Sequence, residues 1–471
     1  MGEPHGSPTS TLLPRCARIE RGWVPAGHCP APPAKHSSRI DDEGRREPAL
    51  VVPPHADVVG ADAARSAVDA FANVRLDAPV AECSVASGAV DQCPGNSALR
   101  RYRRFSRPRL EMAKQRLLYI VGARPNFVKM APVVAELRQR RPDADHIVVH
   151  TGQHYAPELS EIFIEQLGLP EPRHRLEIGS GSHAAQTARV MERLEGIVDA
   201  CRPDIALVAG DVNSTLASAL VLVKLGVPYG HVESGLRSFD RSMPEEVNRI
   251  VADEFADHLF AHSEDAVQNL RNEGIESERI HLVGNTMIDT LCRLEPRFRQ
   301  LRVAEQLGFR PREFVLVTLH RPSLVDGPLL SEALEQLQAV AERVPVVFPV
   351  HPRTRARITE LERYPGIHFC APVGYLEFLS LEADAAVVLT DSGGVQEETT
   401  FLGIPCFTLR AVTERPVTTR LGTNVMLGLD PSRIPEIADS IGTEEGPHDV
   451  PPLWDGRASE RIADIVVERL G

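Results

Sequence analysis

Asp211, Glu233 and Glu245 each stand just past an apolar run or in the first turn of a helix, and a Ser392-Gly393-Gly394 turn stands past another such run. The two features call for different chemistry. Carboxylates that converge on one cleft repel one another, which raises at least one pKa and supplies both an acid and a base near neutral pH. Gly393 and Gly394 let the backbone approach an anion, and the helix that follows offers unpaired N–H groups and the positive end of its dipole. Glu397 and Glu398 sit one turn into that helix, where they could receive ribose hydroxyls. The residues therefore predict a proton-transfer site facing a phosphate-binding turn. Plainer readings stay open: the turn could be packing alone, and Glu245 with Arg249, four apart on one helix face behind Pro244, could be a surface ion pair.

An anionic nucleotide needs local cations, because the net charge of -13 over 471 residues argues against a broadly basic surface. Arg124 and Lys129 follow the first run, Arg237 closes the segment that begins at His231, and Arg410 and Arg415 follow the last run. His320, followed by Arg321 and facing the phosphate turn, could hydrogen-bond a diphosphate or protonate a leaving oxygen. His351, fixed beside Pro352, is the weaker candidate. The same net charge excludes nucleic acid and membrane surface as partners of the whole molecule. The four cysteines of the body, Cys201, Cys292, Cys370 and Cys406, form no close metal-ligand pair, which fits a reduced cytoplasmic setting and no metal.

The elements that must position these groups begin near residue 116. Apolar runs at 117–121, 146–150, 205–209, 228–232 and 258–261 alternate with amphipathic stretches, and a second set follows at 314–319, 344–350, 367–370, 385–389 and 405–409. That alternation predicts parallel βαβ units and an α/β fold of two doubly wound Rossmann-like domains. In such sheets ligands bind past the carboxyl ends of the strands, which is where the polar residues fall. The expected boundaries are 114–288 and 289–455, with a helix at 456–471 packing at the junction. Residues 1–113 show no period and read as a disordered low-complexity extension, or as a product of start-codon choice with initiation at Met112. No run reaches the length of a spanning helix.

From about residue 116 to 470, the motifs GARPNFVKMAPV, TGQHY, AGDVNSTLA, HVESGLRS, MPEEVNR, GNTMIDTL, TLHRP, TDSGGVQEE and TERPV stand in an order that resembles the bacterial non-hydrolysing UDP-N-acetylglucosamine 2-epimerases. The resemblance implies a GT-B-like pair of domains with the active site in the interdomain cleft, a homodimer, a UDP-N-acetylhexosamine substrate and no cofactor. It implies Asp211, Glu233 and Glu245 as acid/base candidates and His320 near the diphosphate or departing oxygen. Arg124, Lys129, Arg237 and Arg249 would hold charge in the cleft, Ser392, Gly393 and Gly394 the diphosphate, Glu398 the ribose, and Arg415 the nucleotide end. The reaction would be elimination of UDP to a 2-acetamidoglucal and re-addition. Two stretches depart from the pattern. Tyr155-Ala156 and LEIGSGSH lack the polar residues of an activating substrate site, and Arg321-Pro322-Ser323 replaces a second Arg and an acidic residue. A hydrolysing epimerase, a GT-B glycosyltransferase and a nucleotide-sugar sensor are the alternatives.

Overall fold

The computed structural model describes residues 114–152, 163–358, 360–442 and 449–471; the expected extension at 1–113 and the Gln153-His154-Tyr155 stretch lie outside the described residues. One sheet contains β1 (Arg116–Val121), β2 (Asp145–His150), β3 (His174–Arg175), β4 (Ile205–Ala209), β5 (Tyr229–Ser234), β6 (His258–Ala261) and β7 (Ile280–Leu282). Its order is β3-β2-β1-β4-β5-β6-β7. The other contains β8 (Val315–Thr318), β9 (Val346–Pro349), β10 (Ile367–Cys370), β11 (Val387–Thr390), β12 (Cys406–Thr408) and β13 (Asn424–Met426), in the order β10-β9-β8-β11-β12-β13. Every neighbouring pair is parallel. Counted from its own first strand, each sheet runs 3-2-1-4-5-6, the doubly wound order, and the first adds one edge strand. These are the two Rossmann-like domains that the sequence predicts.

Helices on both faces leave the central strands no exposed side, so most of their positions are apolar. Leu117, Tyr119 and Val121 enter one core while Leu118 and Ile120 enter the opposite one. Val315, Val317 and Leu319 likewise alternate with Phe314 and Leu316. The three strands missing from the sequence reading, β3, β7 and β13, are two or three residues long and mostly half-buried. They lie at or near sheet edges, where neither length nor burial produces an apolar run.

The domains share a junction. The expected cut between 288 and 289 falls inside one continuous helix, Thr286–Leu301, whose Met287, Leu291, Leu294 and Phe298 join the first domain's core. Ile462, Ala463 and Val466 of the last helix, Ala458–Leu470, enter that same core. Asp289 anchors the returning helix by accepting from the backbone N–H groups of Ala458 (3.1 Å) and Ser459 (2.6 Å). Buried Trp454 donates its indole N–H to the His262 carbonyl at 2.8 Å. Gly284 adopts a φ of 91°, and a side chain there would collide with the Leu453 carbonyl.

Candidate active site

In each domain the winding direction reverses between two strands, β1 and β4 in the first domain and β8 and β11 in the second, and the loops after these strands diverge to leave a crevice. After β1, Pro125 occupies the first turn of the helix Arg124–Arg140. Asn126 fixes that turn: its Oδ1 accepts from the Ala123 N–H at 2.9 Å and its amide donates to the Ala209 carbonyl, at the end of β4, at 2.6 Å. One residue later Gly210, with φ 66°, leaves room for the buried Lys129 ammonium. Lys129 points across to the carboxylate of Glu233 and forms an ion pair with Oε2.

Glu233 does not sit past its strand, as the sequence suggests, but inside β5. Register slips between Val232 and Ser234, and Glu233 takes a left-handed φ of 66°. A bulge of this kind re-aims a side chain that the pleat would otherwise bury in the sheet. The strained conformation turns the carboxylate into the cleft.

From the opposite wall, Arg415 completes the grip on Glu233. Its Nη2 lies 2.9 Å from Glu233 Oε1, its Nε 2.8 Å from Glu397 Oε1, and its Nη1 3.4 Å from Glu414 Oε2. The guanidinium also lies over the phosphate turn, since a methyl group at Gly393 would collide with it. Ser392 precedes the helix Gly393–Leu402 without capping it through its side chain, so the first N–H groups of that helix have no side-chain partner there. Met287 packs beside Gly394.

Asp211 forms an ion pair with Arg249, whose other nitrogen binds Glu246 at 2.6 Å. The pair expected between Glu245 and Arg249 is therefore not made. Glu246 is drawn inward by the N–H groups of Ser238 and Phe239, each at 2.9 Å, leaving Glu245 half-buried in the first helical turn. Arg237 is also corrected. Its guanidinium is buried between Asp253 (2.7 Å) and Glu273 (2.5 Å), which assigns it to holding the Leu236 loop rather than to a ligand.

His320 is oriented by Asp391, which accepts from the backbone N–H groups of His320 and Arg321, both at 2.7 Å, and places Oδ1 2.9 Å from the imidazole Nδ1. That contact leaves Nε2 as the nitrogen for a ligand. Arg124 is exposed, with its guanidinium 4.5 Å above the Phe163 ring, and among the described residues no carboxylate lies within ion-pair distance of it. His351 stands beside His320, with ring centroids 5.6 Å apart.

The expected mutual repulsion of carboxylates is not what governs the first wall. Burial alone would raise the Glu233 pKa, but Lys129 and Arg415 outweigh it and hold the group below its ordinary value. Burial is likewise overcome at Glu397, where Arg415 and His262, 3.3 Å away, hold the pKa at about 2. Glu414 is also held low, by Arg410 in a two-bond pair at 2.9 and 2.7 Å and by Arg415. Sequence reasoning missed Glu414 because it sits among arginines, and missed His262 although it follows β6 as the other reactive residues follow their strands.

Known proteins resemble this chain over most of the described part. A sequence profile described as UDP-N-acetylglucosamine 2-epimerase matches residues 136–467. The UDP-N-acetylglucosamine 2-epimerase of Methanococcus maripaludis is 40% identical over 359 residues, 74% of this chain and 97% of that protein. The UDP-2,3-diacetamido-2,3-dideoxy-D-glucuronate 2-epimerase of Pseudomonas aeruginosa is 41% identical over 358 residues, 75% of this chain and 99% of that protein. Among solved structures, the Methanocaldococcus jannaschii UDP-GlcNAc 2-epimerase in complex with UDP-GlcNAc and UDP superposes with a TM-score of 0.70 at 38% identity, covering 75% of this chain and all of that one.

Glu398 is the carboxyl that burial does raise. With no cation opposite it, burial and neighbouring Glu397 push its pKa up to about 8, against the hydrogen bond donated by the Tyr375 hydroxyl at 2.7 Å. Glu382, fully buried with both oxygens lacking a hydrogen-bond partner, is pushed well above the carboxylate range by burial and by Glu398. The folded state thus binds a proton at Glu398 that the unfolded chain, with an ordinary value of 4.5, releases earlier. That contribution to stability is complete below pH 4.5 and is lost as the pH rises through about 8. Glu398→Gln should flatten this part of the profile, read from urea midpoints across the interval; parallel profiles for the two proteins would contradict the assignment.

Proposed function

The chain belongs to the UDP-N-acetylglucosamine 2-epimerase family, and from that premise we propose that it interconverts UDP-N-acetylglucosamine and UDP-N-acetylmannosamine without hydrolysis. The observation that carries the reading is the 2.9 Å contact between Arg415, over the phosphate turn, and Glu233, on the proton-transfer wall. It brings the two chemistries within one sugar's reach. The Ser392-Gly393-Gly394 turn would take the diphosphate and Glu398 the ribose. A base drawn from Asp211, Glu233 and Glu245 would remove the C2 proton as the C1–O bond breaks and its electron pair leaves with UDP. The 2-acetamidoglucal then receives a proton on its other face, and the UDP oxygen re-forms the bond at C1. Nε2 of His320 suits the departing diphosphate oxygen. One proton leaves C2 and another, exchangeable with solvent, is delivered to it while UDP returns to C1, so the sequence of steps asks for no redox partner.

The relative acting on a diacetamido glucuronate gives a second substrate a foothold. Arg124, open and without a carboxylate opposite it among the described residues, would suit a sugar acid. Both nucleotide sugars therefore belong in one assay in deuterated water. UDP-N-acetylglucosamine should gain deuterium at C2 and yield UDP-N-acetylmannosamine. Free N-acetylmannosamine would instead mark a hydrolase, an undeuterated substrate a transferase or sensor, and turnover of the diacetamido glucuronate alone the second substrate.

Asp211 is asked for proton transfer rather than nucleotide retention. Asp211→Asn should lower turnover by about 100-fold or more, while UDP affinity by calorimetry stays within about threefold. Collapse of UDP binding with turnover intact would reverse the roles.

We place the enzyme in the cytoplasm, in polysaccharide biosynthesis, as a homodimer. No described helix is long and apolar enough to cross a membrane. The dimer reading is supported by exposed apolar side chains on two adjacent helices, Val223 and Leu225 at the end of Asn213–Lys224 and Val247 and Phe255 on Pro244–Phe255. These helices follow parallel strands, so Leu225 and Phe255 lie at the same end of the pair. Sedimentation should find a dimer that Phe255→Asp converts to monomer; a monomeric wild type would remove the proposal.

A further inference from the structure

We propose that Arg415 is a nucleotide-operated latch: in the empty cleft its guanidinium holds the Glu233 carboxylate, and a bound diphosphate draws the guanidinium away and frees Glu233 to move a proton. The inference deepens the functional reading above and rests on it.

Three contacts fix the latched state. The three nitrogens of Arg415 each meet a different carboxylate, Glu233 at 2.9 Å, Glu397 at 2.8 Å and Glu414 at 3.4 Å. Each nitrogen is turned toward a carboxylate, and the guanidinium as a whole is held in place by the three together. Its plane nevertheless lies against Gly393, on the surface a diphosphate would use. The space over Gly393 is already too tight for a single methyl group, so an anion that settles there draws the guanidinium out of its present place.

The carboxylate that yields is Glu233. Glu397 precedes Arg415 on the same domain and has His262 as a second partner at 3.3 Å. Glu414 adjoins Arg415 in the chain and keeps a two-bond pair with Arg410. Of these three carboxylates Glu233 alone belongs to the other domain, and it sits on a bulged, left-handed residue. The charged groups around it are Lys129 on its own wall, Arg415 opposite, and Glu397 beyond Arg415. With Arg415 withdrawn, Glu233 faces Lys129 alone, and a buried carboxylate with one cation takes a proton more readily than one with two. Binding of the nucleotide thereby prepares the group that the reaction needs, and the empty enzyme keeps it ionised and occupied.

The latch predicts that weakening the Glu233 side tightens nucleotide binding, with UDP as the probe. In a double-mutant cycle measured by calorimetry, Glu233→Gln should tighten UDP binding about tenfold, the scale of coupling between contacting charged residues. In an Arg415→Met background the same change should move UDP affinity less than about twofold. Glu233→Asp keeps the charge but shortens the reach to Arg415, and should also tighten binding, which separates a latch from simple loss of negative charge. Equal tightening in both backgrounds, or UDP affinity unmoved by either Glu233 variant, would overturn the latch while leaving the functional reading intact. A wild type that fails to bind UDP would overturn both.

Discussion

The cleft depends on charge balance among buried side chains. Lys129, Glu233, Arg415 and Glu397 form a buried alternation of cation and anion that runs from the first helix of one domain into the other, and His262, just past β6, stands 3.3 Å from Glu397. An isolated charge at such depth costs several kcal/mol, and removal of one partner from a buried pair is strongly destabilising. The walls therefore hold each other where Glu233 of one domain meets Arg415 of the other. Asp211, Arg249 and Glu246 close the same account on the first wall, and Arg249 approaches Glu414 of the second at 3.8 Å.

Position follows from topology. Because both sheets wind in the same order, each presents one pair of diverging loops that carries part of the site, Gly122 to Lys129 and Gly210-Asp211 in one domain, His320-Arg321 and Asp391 to Gly394 in the other, while Glu233 and Arg415 come from the neighbouring strand β5 and the segment after β12. The helix Thr286–Leu301 and the returning helix Ala458–Leu470 supply the stiff connection. Their apolar faces share a core with Phe127, Met130 and Val134 and with Tyr375 and Leu379, so the domains meet over packed side chains as well as ion pairs.

Much of this is written locally and was legible. Central strands announce themselves because burial on both faces forces apolar runs, and the glycine turn before Val395 needs only its own residues. What failed was whatever depends on a partner far along the chain. Arg237 reads as a cleft cation until Asp253 and Glu273 are seen to enclose it. Glu245 and Glu246 are indistinguishable in sequence, and the N–H groups of Ser238 and Phe239 decide which one turns inward. The bulge that aims Glu233 leaves no trace in an apolar pattern, because a single extra residue in a strand changes pairing rather than composition. The short edge strands were lost for the opposite reason, having neither length nor burial.

Glu397 and Glu398 show how far three-dimensional partners override residue type. Consecutive residues on a helix project about 100° apart, so two identical side chains leave the same turn toward different surroundings. One meets Arg415 and His262 and is held at a pKa of about 2; the other meets the Tyr375 hydroxyl but no cation, and burial and Glu397 lift it to about 8. Burial disfavours the charged form of both, and the difference comes from whether a cation stands opposite. In the proposed reading, the ionised member helps to anchor Arg415 over the phosphate turn. Its neighbour, neutral near physiological pH, keeps a second full negative charge away from a diphosphate that already carries its own. A single helical turn can thus place an anchoring anion and a polar but uncharged ribose contact side by side.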